Sequence, residues 1–137
     1  MRIIPIIKRL KEEVALLEER VEPATDLMAI DDDEIITGTP ICFVHALDEK
    51  SEESTTIGSV QQWGLDKFRL LMMADNINLE TEQEPMEDLK DQVDEALLGW
   101  KMPGDYGFVE FVEGGVINIS GDKVIWASTY KVERERD

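Results

Sequence analysis

The sequence predicts an α+β domain in which two α-helices pack on one face of an antiparallel β-sheet. Two segments with helical apolar spacing each precede a pair of strand-like segments, which gives the order α-β-β-α-β-β. The chain has 137 residues, of which 42% are hydrophobic, and this is enough for one domain with a core. We therefore expect residues 1–137 to form a single domain from which a long β-hairpin projects.

The first helix is predicted from about Pro5 to about Arg20. Proline suits the first turn of a helix, and Pro23 ends the segment that follows. Apolar residues recur every three or four positions, so they form one stripe that can face a sheet: Ile3, Ile7, Leu10, Val14, Leu17 and Val21. The same spacing would suit a coiled coil, although packing on a sheet explains it equally well. The acidic run from Asp31 to Glu34 lacks EF-hand spacing and is interpreted as a solvated loop.

Two strands are predicted next. The segment from Pro40 to Leu47 is nearly all apolar, as expected of a strand covered on both faces. A polar stretch follows, and residues Val60 to Ala74 then form a strand of fifteen residues, about 50 Å long. This exceeds what a domain of this size needs. We expect part of the resulting hairpin to project, or a bulge at Gly64 to interrupt the strand.

A second helix and a closing hairpin complete the prediction. The helix begins near Pro85, and its apolar positions have helical spacing: Met86, Leu89, Val93, Ala96, Leu97 and Trp100. Strands are then expected over Phe108 to Val112, Val116 to Ser120 and Lys123 to Glu133. Turns at Gly114–Gly115 and at Gly121–Asp122 would separate them.

The charge balance excludes several classes of partner. The chain carries 31 acidic and 14 basic residues, for a formal net charge of −17. Binding of nucleic acid or of an anionic membrane needs clustered lysine and arginine, so neither is expected. A single cysteine rules out an intramolecular disulfide. The chain also shows no signal peptide and no apolar stretch long enough to span a membrane, which favours the cell interior.

Residues that could perform chemistry are few. His45 is the only histidine and lies in an apolar strand, so we expect a hydrogen-bonded structural role. Cys42 precedes it by three positions and should lie on the opposite face, where the two cannot act together. No phosphate-binding glycine loop or metal-ligand spacing occurs in the sequence. We predict no catalytic residues, no metal site, no cofactor and no enzyme activity.

The three tryptophans differ in their surroundings. Trp100 and Trp126 lie on apolar faces and are expected in the core. Trp63 lies between Gln62 and Gly64 in the polar half of the long strand. An aromatic residue on a projecting arm is typical of an interface anchor.

Together, these elements resemble the tail terminator (tail completion) proteins of long-tailed, lambda-like bacteriophages. The resemblance covers nearly the whole chain and is closest over Val60 to Met73 and from Leu97-Leu98-Gly99-Trp100 to the end. It implies a structural virion protein that forms a hexameric ring on the head-proximal end of the tail tube and stops tube polymerisation. The implied partners are further copies of the chain, the tail tube protein and the head-tail connector. The resemblance also implies assembly in the host cytoplasm, and passage of DNA through the ring without specific binding.

A head-to-tail ring needs two different surfaces on each subunit. The projecting hairpin with its acidic tip is one candidate, and the N-terminal helix or the C-terminal hairpin is the other. The expected contact residues, for the subunits or for the tail tube, are Glu52, Glu53, Thr55, Gln61, Gln62, Trp63, Lys131 and Arg134.

The alternative function is that of an acidic DNA-mimic inhibitor of a nucleic-acid enzyme. Its support is the net charge alone, because the carboxylates show no regular spacing along one face. Co-sedimentation with tail tubes, compared with inhibition of a nuclease, would separate the two functions.

Overall fold

The computed structural model describes residues 1–24, 38–51 and 62–136. In chain order the elements are α1 (Ile4–Glu13), a short 3-10 helix (Ala15–Leu17), β1 (Val21–Pro23), β2 (Ile41–Ser51), β3 (Gln62–Asp75), α2 (Pro85–Leu97), β4 (Tyr106–Ser120) and β5 (Lys123–Arg136). The strands form one five-stranded sheet in the order β1-β2-β3-β5-β4. The predicted α+β class is confirmed.

The sheet is mixed, and the predicted element order omitted a strand. β1 pairs in parallel with β2, from Val21↔Cys42 to Pro23↔Val44, whereas the other strand pairs are antiparallel. The observed order is α-β-β-β-α-β-β, so the predicted order and the wholly antiparallel sheet are wrong. A three-residue strand that ends in proline is too short to show any periodicity in the sequence.

The first helix ends at Glu13 and not near Arg20. Val14 has an extended backbone, with φ −106° and ψ 91°, and the 3-10 helix follows it. Glu18 and Glu19 then adopt left-handed conformations that turn the chain into β1. Most of the predicted stripe is nevertheless buried, and three of its residues have no exposed surface: Leu10, Val14 and Leu17.

The two helices share one face of the sheet. Their buried residues pack with those of β2, β3 and β5 in one core, which includes Phe68, Leu70 and Tyr130. Within the core, the ring of Phe68 stacks on that of Tyr130 at 5.4 Å between centroids. The Tyr130 hydroxyl donates a hydrogen bond to Asp94 Oδ1 at 2.8 Å, which joins β5 to α2. The predicted buried positions of α2 are confirmed from Met86 to Leu97.

β4 is one continuous strand. It passes through Gly114 and Gly115, so the turn predicted there is wrong. Gly114 is required for packing and not for turning, because a Cβ at this position would lie 2.9 Å from Nε1 of Trp126. The turn between β4 and β5 lies at Gly121, with φ +60°, as predicted.

The described part of the predicted hairpin lies within the sheet. β3 pairs with β5 along its whole length, from Gln62↔Arg136 to Asp75↔Lys123. Gly64 keeps regular pairing, and the irregularity lies instead in β2, between Ala46 and Glu49. Residues 52–61, which include most of the polar stretch of the predicted hairpin, lie outside the described residues, so the expected projection stays a prediction; the acidic run at 31–34 lies outside them as well.

Candidate assembly surface

The outer edge of β4 is the most distinctive surface of the described chain. The sheet order places β4 at an edge, with β5 on its inner side. Residues 99–102 cover the start of the outer edge through three backbone hydrogen bonds, among them Val109 N to Trp100 O at 3.0 Å. Beyond Val109, no other part of the described residues pairs with this edge. An uncovered strand edge presents N–H and C=O groups that another chain can pair with.

The same strand carries large apolar side chains that are exposed. Ile117 and Phe108 each keep 61% of their surface accessible. Their exposed apolar neighbours on the strand are Phe111, Val112, Val116 and Ile119. Single exposed apolar residues are ordinary, but six of them on both faces of one strand beside an uncovered strand edge favour an interaction surface.

The strand's position within the subunit is fixed by its neighbour β5. Phe111 meets the ring of Tyr130 edge-on, at 5.7 Å between centroids. Lys131 forms an ion pair with Glu110 at 3.6 Å. The β4–β5 pairing continues to the Ser120↔Lys123 pair beside the turn. β4 is therefore held in the sheet while its outer edge stays available.

Of the predicted contact residues, Glu52, Glu53, Thr55 and Gln61 lie outside the described residues. Gln62 and Trp63 lie in β3, opposite Arg136 and Glu135 of β5, and their side chains are outside the described part of the chain.

Arg134 lies at the same end of the sheet as Gln62 and Trp63. There it is paired across the sheet with Gly64 in β3 and with Tyr106 in β4. Its guanidinium carbon lies 5.1 Å from the centroid of the Tyr106 ring, and Nη1 lies 3.9 Å from the buried carboxylate of Asp66. Lys131 lies three positions earlier, with its ammonium at Glu110. Both cations make contacts inside the subunit, and their role between subunits stays a prediction.

Sequence reasoning missed the β4 edge. Its apolar residues predicted strands, and nothing in the pattern predicted that they would be exposed at the edge of the sheet. The sequence contained no sign that β5 would lie between β3 and β4, an arrangement that leaves β4 at the edge of the sheet.

The residues considered for chemistry are placed apart. Cys42 is buried on the helical side of the sheet, and burial raises the pKa of its thiol. His45 is exposed, so the expectation of a hydrogen-bonded structural histidine in the apolar strand is wrong. It follows Cys42 by three positions and lies on the opposite face, as predicted. Within the described ranges, no cluster of three or more histidine, cysteine, aspartate or glutamate side chains could hold a metal ion.

The predicted core tryptophans are only partly buried. Both pack against the main core while keeping some exposed surface. Nε1 of Trp126 donates to Ser128 Oγ at 2.9 Å, and the ammonium of Lys90 lies 3.7 Å from the ring centroid. The guanidinium carbon of Arg9 lies 5.4 Å from the ring centroid of Trp100.

Comparison with known proteins identifies the family. The family model described as "Phage tail terminator protein" matches residues 2–137. The chain belongs to the phage tail terminator family. This tail terminator chain is accordingly a structural protein of the virion tail and not an enzyme, as predicted. No curated protein shows significant similarity to it.

The tail terminator chain also has a structural neighbour from a virion structure. The matching chain comes from the structure titled "Virion of native gene transfer agent (GTA) particle". The two are 14% identical, with a TM-score of 0.61, and the match covers 96% of this chain and 92% of the other. This likeness shows a shared fold. Among the described residues, no helix is both long and apolar enough to cross a membrane.

Proposed function

We propose that the chain closes into a homo-hexameric ring on the head-proximal end of the tail tube, stops tube polymerisation and forms the joint to the head-tail connector. The family match supports the placement in the tail. The observation that carries the ring is the outer edge of β4, with its uncovered backbone and its exposed apolar residues.

The physical argument begins with exposed apolar surface. Burial of apolar surface between subunits releases about 25 cal/mol per Å², so the apolar residues of β4 favour association. A head-to-tail contact joins two different surfaces and closes into a ring when the rotation permits. The β4 edge supplies one such surface on every copy.

The charge of the chain suits a channel for DNA. A ring through which the genome slides should not hold phosphates, and clustered basic residues would do so. With a net charge of −17, copies of this chain repel DNA. DNA therefore passes without specific binding, while the protein partners are the tail tube protein and the connector.

Co-assembly with the tube protein tests the function. The cognate tail tube protein would be polymerised with and without the purified chain, and tube lengths and ends would be measured by negative-stain electron microscopy. We expect shorter tubes with a six-fold ring on one end when the chain is present. Unchanged tube lengths and bare tube ends would contradict the proposal. Inhibition of a nuclease without binding to tubes would favour the DNA-mimic function.

A further inference from the structure

The outer side of α1 carries a basic and apolar groove. The first eleven residues of the chain include four basic residues and no acidic one, although the whole chain has a net charge of −17. On the outer side of α1, Ile4 is 64% exposed and Lys8 is exposed. Together with Trp100 and Pro103, which follow α2, they line a shallow groove. The groove thus pairs a positive charge with an apolar floor.

Internal contacts hold the floor of the groove in place. Arg9 Nε donates to the carbonyl of Ala96 at 3.0 Å, and its guanidinium lies over the ring of Trp100. Arg9 is thereby engaged within the subunit. Lys8, in contrast, has no ion-pair partner among the described residues. Glu12 is the one carboxylate in the described lining.

The β4 edge has the complementary character. β4 contains two carboxylates and no basic residue, and its exposed side chains are otherwise mainly apolar. Glu110 is paired with Lys131 inside the subunit, whereas Glu113 is exposed and has no ion-pair partner within the described ranges. The groove therefore carries a net positive charge, from Lys8 and Arg9 against Glu12, and β4 carries a net negative charge, from Glu110 and Glu113.

We propose that the groove formed by α1 and Trp100 receives the outer edge of β4 from a second copy of this chain. The inference rests on the proposed ring and names the two surfaces that meet in it. The groove and the uncovered part of β4 share no residue, so each copy offers two different surfaces. This is the condition for head-to-tail closure, in contrast to a two-fold dimer. Opposite charges in the contact set its orientation and exclude other pairings.

Charge reversal tests this contact. Lys8→Glu and Glu113→Lys would each place like charges against each other, and we expect each to raise the concentration at half-assembly about tenfold. The double variant Lys8→Glu with Glu113→Lys should recover most of that loss. Assembly would be measured by sedimentation velocity at about 0.15 M salt, where the Debye length is about 8 Å, and by ring occupancy of tail-tube ends.

A matched double variant controls for net charge. Lys8→Glu with Glu80→Lys has the wild-type net charge, and Glu80 is exposed in the turn after β3. We expect no recovery from this pair. If the double variant with Glu113→Lys recovers assembly no better than the one with Glu80→Lys, the proposed contact is overturned. The proposed function would still stand in that case if the wild type forms rings. A wild-type chain that neither oligomerises nor occupies tube ends overturns both.

Discussion

The indole of Trp126 fills the space above the backbone of Gly114. A Cβ at position 114 would lie 2.9 Å from Nε1 of Trp126, closer than real Cβ contacts come. The indole cannot easily retreat, because its Nε1 donates to Ser128 and the Lys90 ammonium lies 3.7 Å from the ring centroid. One glycine in the edge strand thereby allows contact between β4, β5 and α2.

We predict that Gly114→Ala destabilises the subunit. The added methyl overpacks the contact with Trp126, and such changes typically cost about 1–3 kcal/mol. Gly115→Ala is the matched control, because nothing lies within 4 Å of a Cβ at that position and its φ is not in the left-handed region. The free energy of unfolding in urea measures both. Equal values for the two variants would show that the Trp126 contact does not constrain position 114.

The hydroxyl of Tyr130 provides a second test. Tyr130→Phe removes the hydrogen bond to Asp94, which joins β5 to α2, and burial together with this bond raises the pKa of the tyrosine. We expect a loss of about 1–2 kcal/mol in the free energy of unfolding.

Tyr106→Phe is the control for that change. The Tyr106 hydroxyl is buried and has no hydrogen-bond partner in the described part of the chain. Its removal should be neutral or slightly stabilising, because no bond is lost and a buried polar atom is eliminated. A larger loss from Tyr106→Phe than from Tyr130→Phe would contradict this account of the core.

These contacts show what the sequence could and could not predict. Local apolar spacing predicted helix α2 and the burial of Leu10, Val14 and Leu17. Such spacing shows which face of an element is buried. The end of α1 depends on left-handed residues at Glu18 and Glu19, and glutamate gives no local signal for that conformation.

The assembly surface was hidden for a different reason. The exposed residues of β4, such as Ile117, are the same residue types that fill strand cores. Whether a strand lies inside a sheet or at its edge depends on long-range pairing, here of β3 with β5, and local sequence does not record it. The family resemblance predicted a ring without indicating which strand would form its contacts.

Substitution in the buried stripe should unfold the domain. Val14 has no exposed surface, so Val14→Asp buries an unpaired charge. We expect this to lower the free energy of unfolding by several kcal/mol, and the total for a domain is typically about 5–15 kcal/mol. Glu12→Ala on the exposed side of α1 should cost less than about 0.5 kcal/mol. Thermal melts of the two variants provide the comparison. Similar small shifts in both would mean that Val14 is not part of the core.

Salt should promote assembly of the isolated chain. With a net charge of −17 on each copy, subunits repel one another at low ionic strength. The Debye length falls from about 30 Å at 0.01 M salt to about 8 Å at 0.15 M. We expect light scattering to show monomers in dilute buffer and larger species as salt or divalent cation is added. A constant mass across this range would contradict the electrostatic part of the account.

The most direct test of the central claim is the capping of tail tubes by a variant of the β4 edge. Ile117→Lys adds a charge to the exposed edge, and Leu79→Lys makes the same change at a residue that is 86% exposed and lies outside β4. Both should keep the wild-type melting curve. The measurement is the fraction of tube ends that carry a ring in electron micrographs. We predict rings on one end of most tubes with the wild type and Leu79→Lys, and bare ends with Ile117→Lys. Normal capping by a folded Ile117→Lys variant would contradict the claim that this edge assembles the ring.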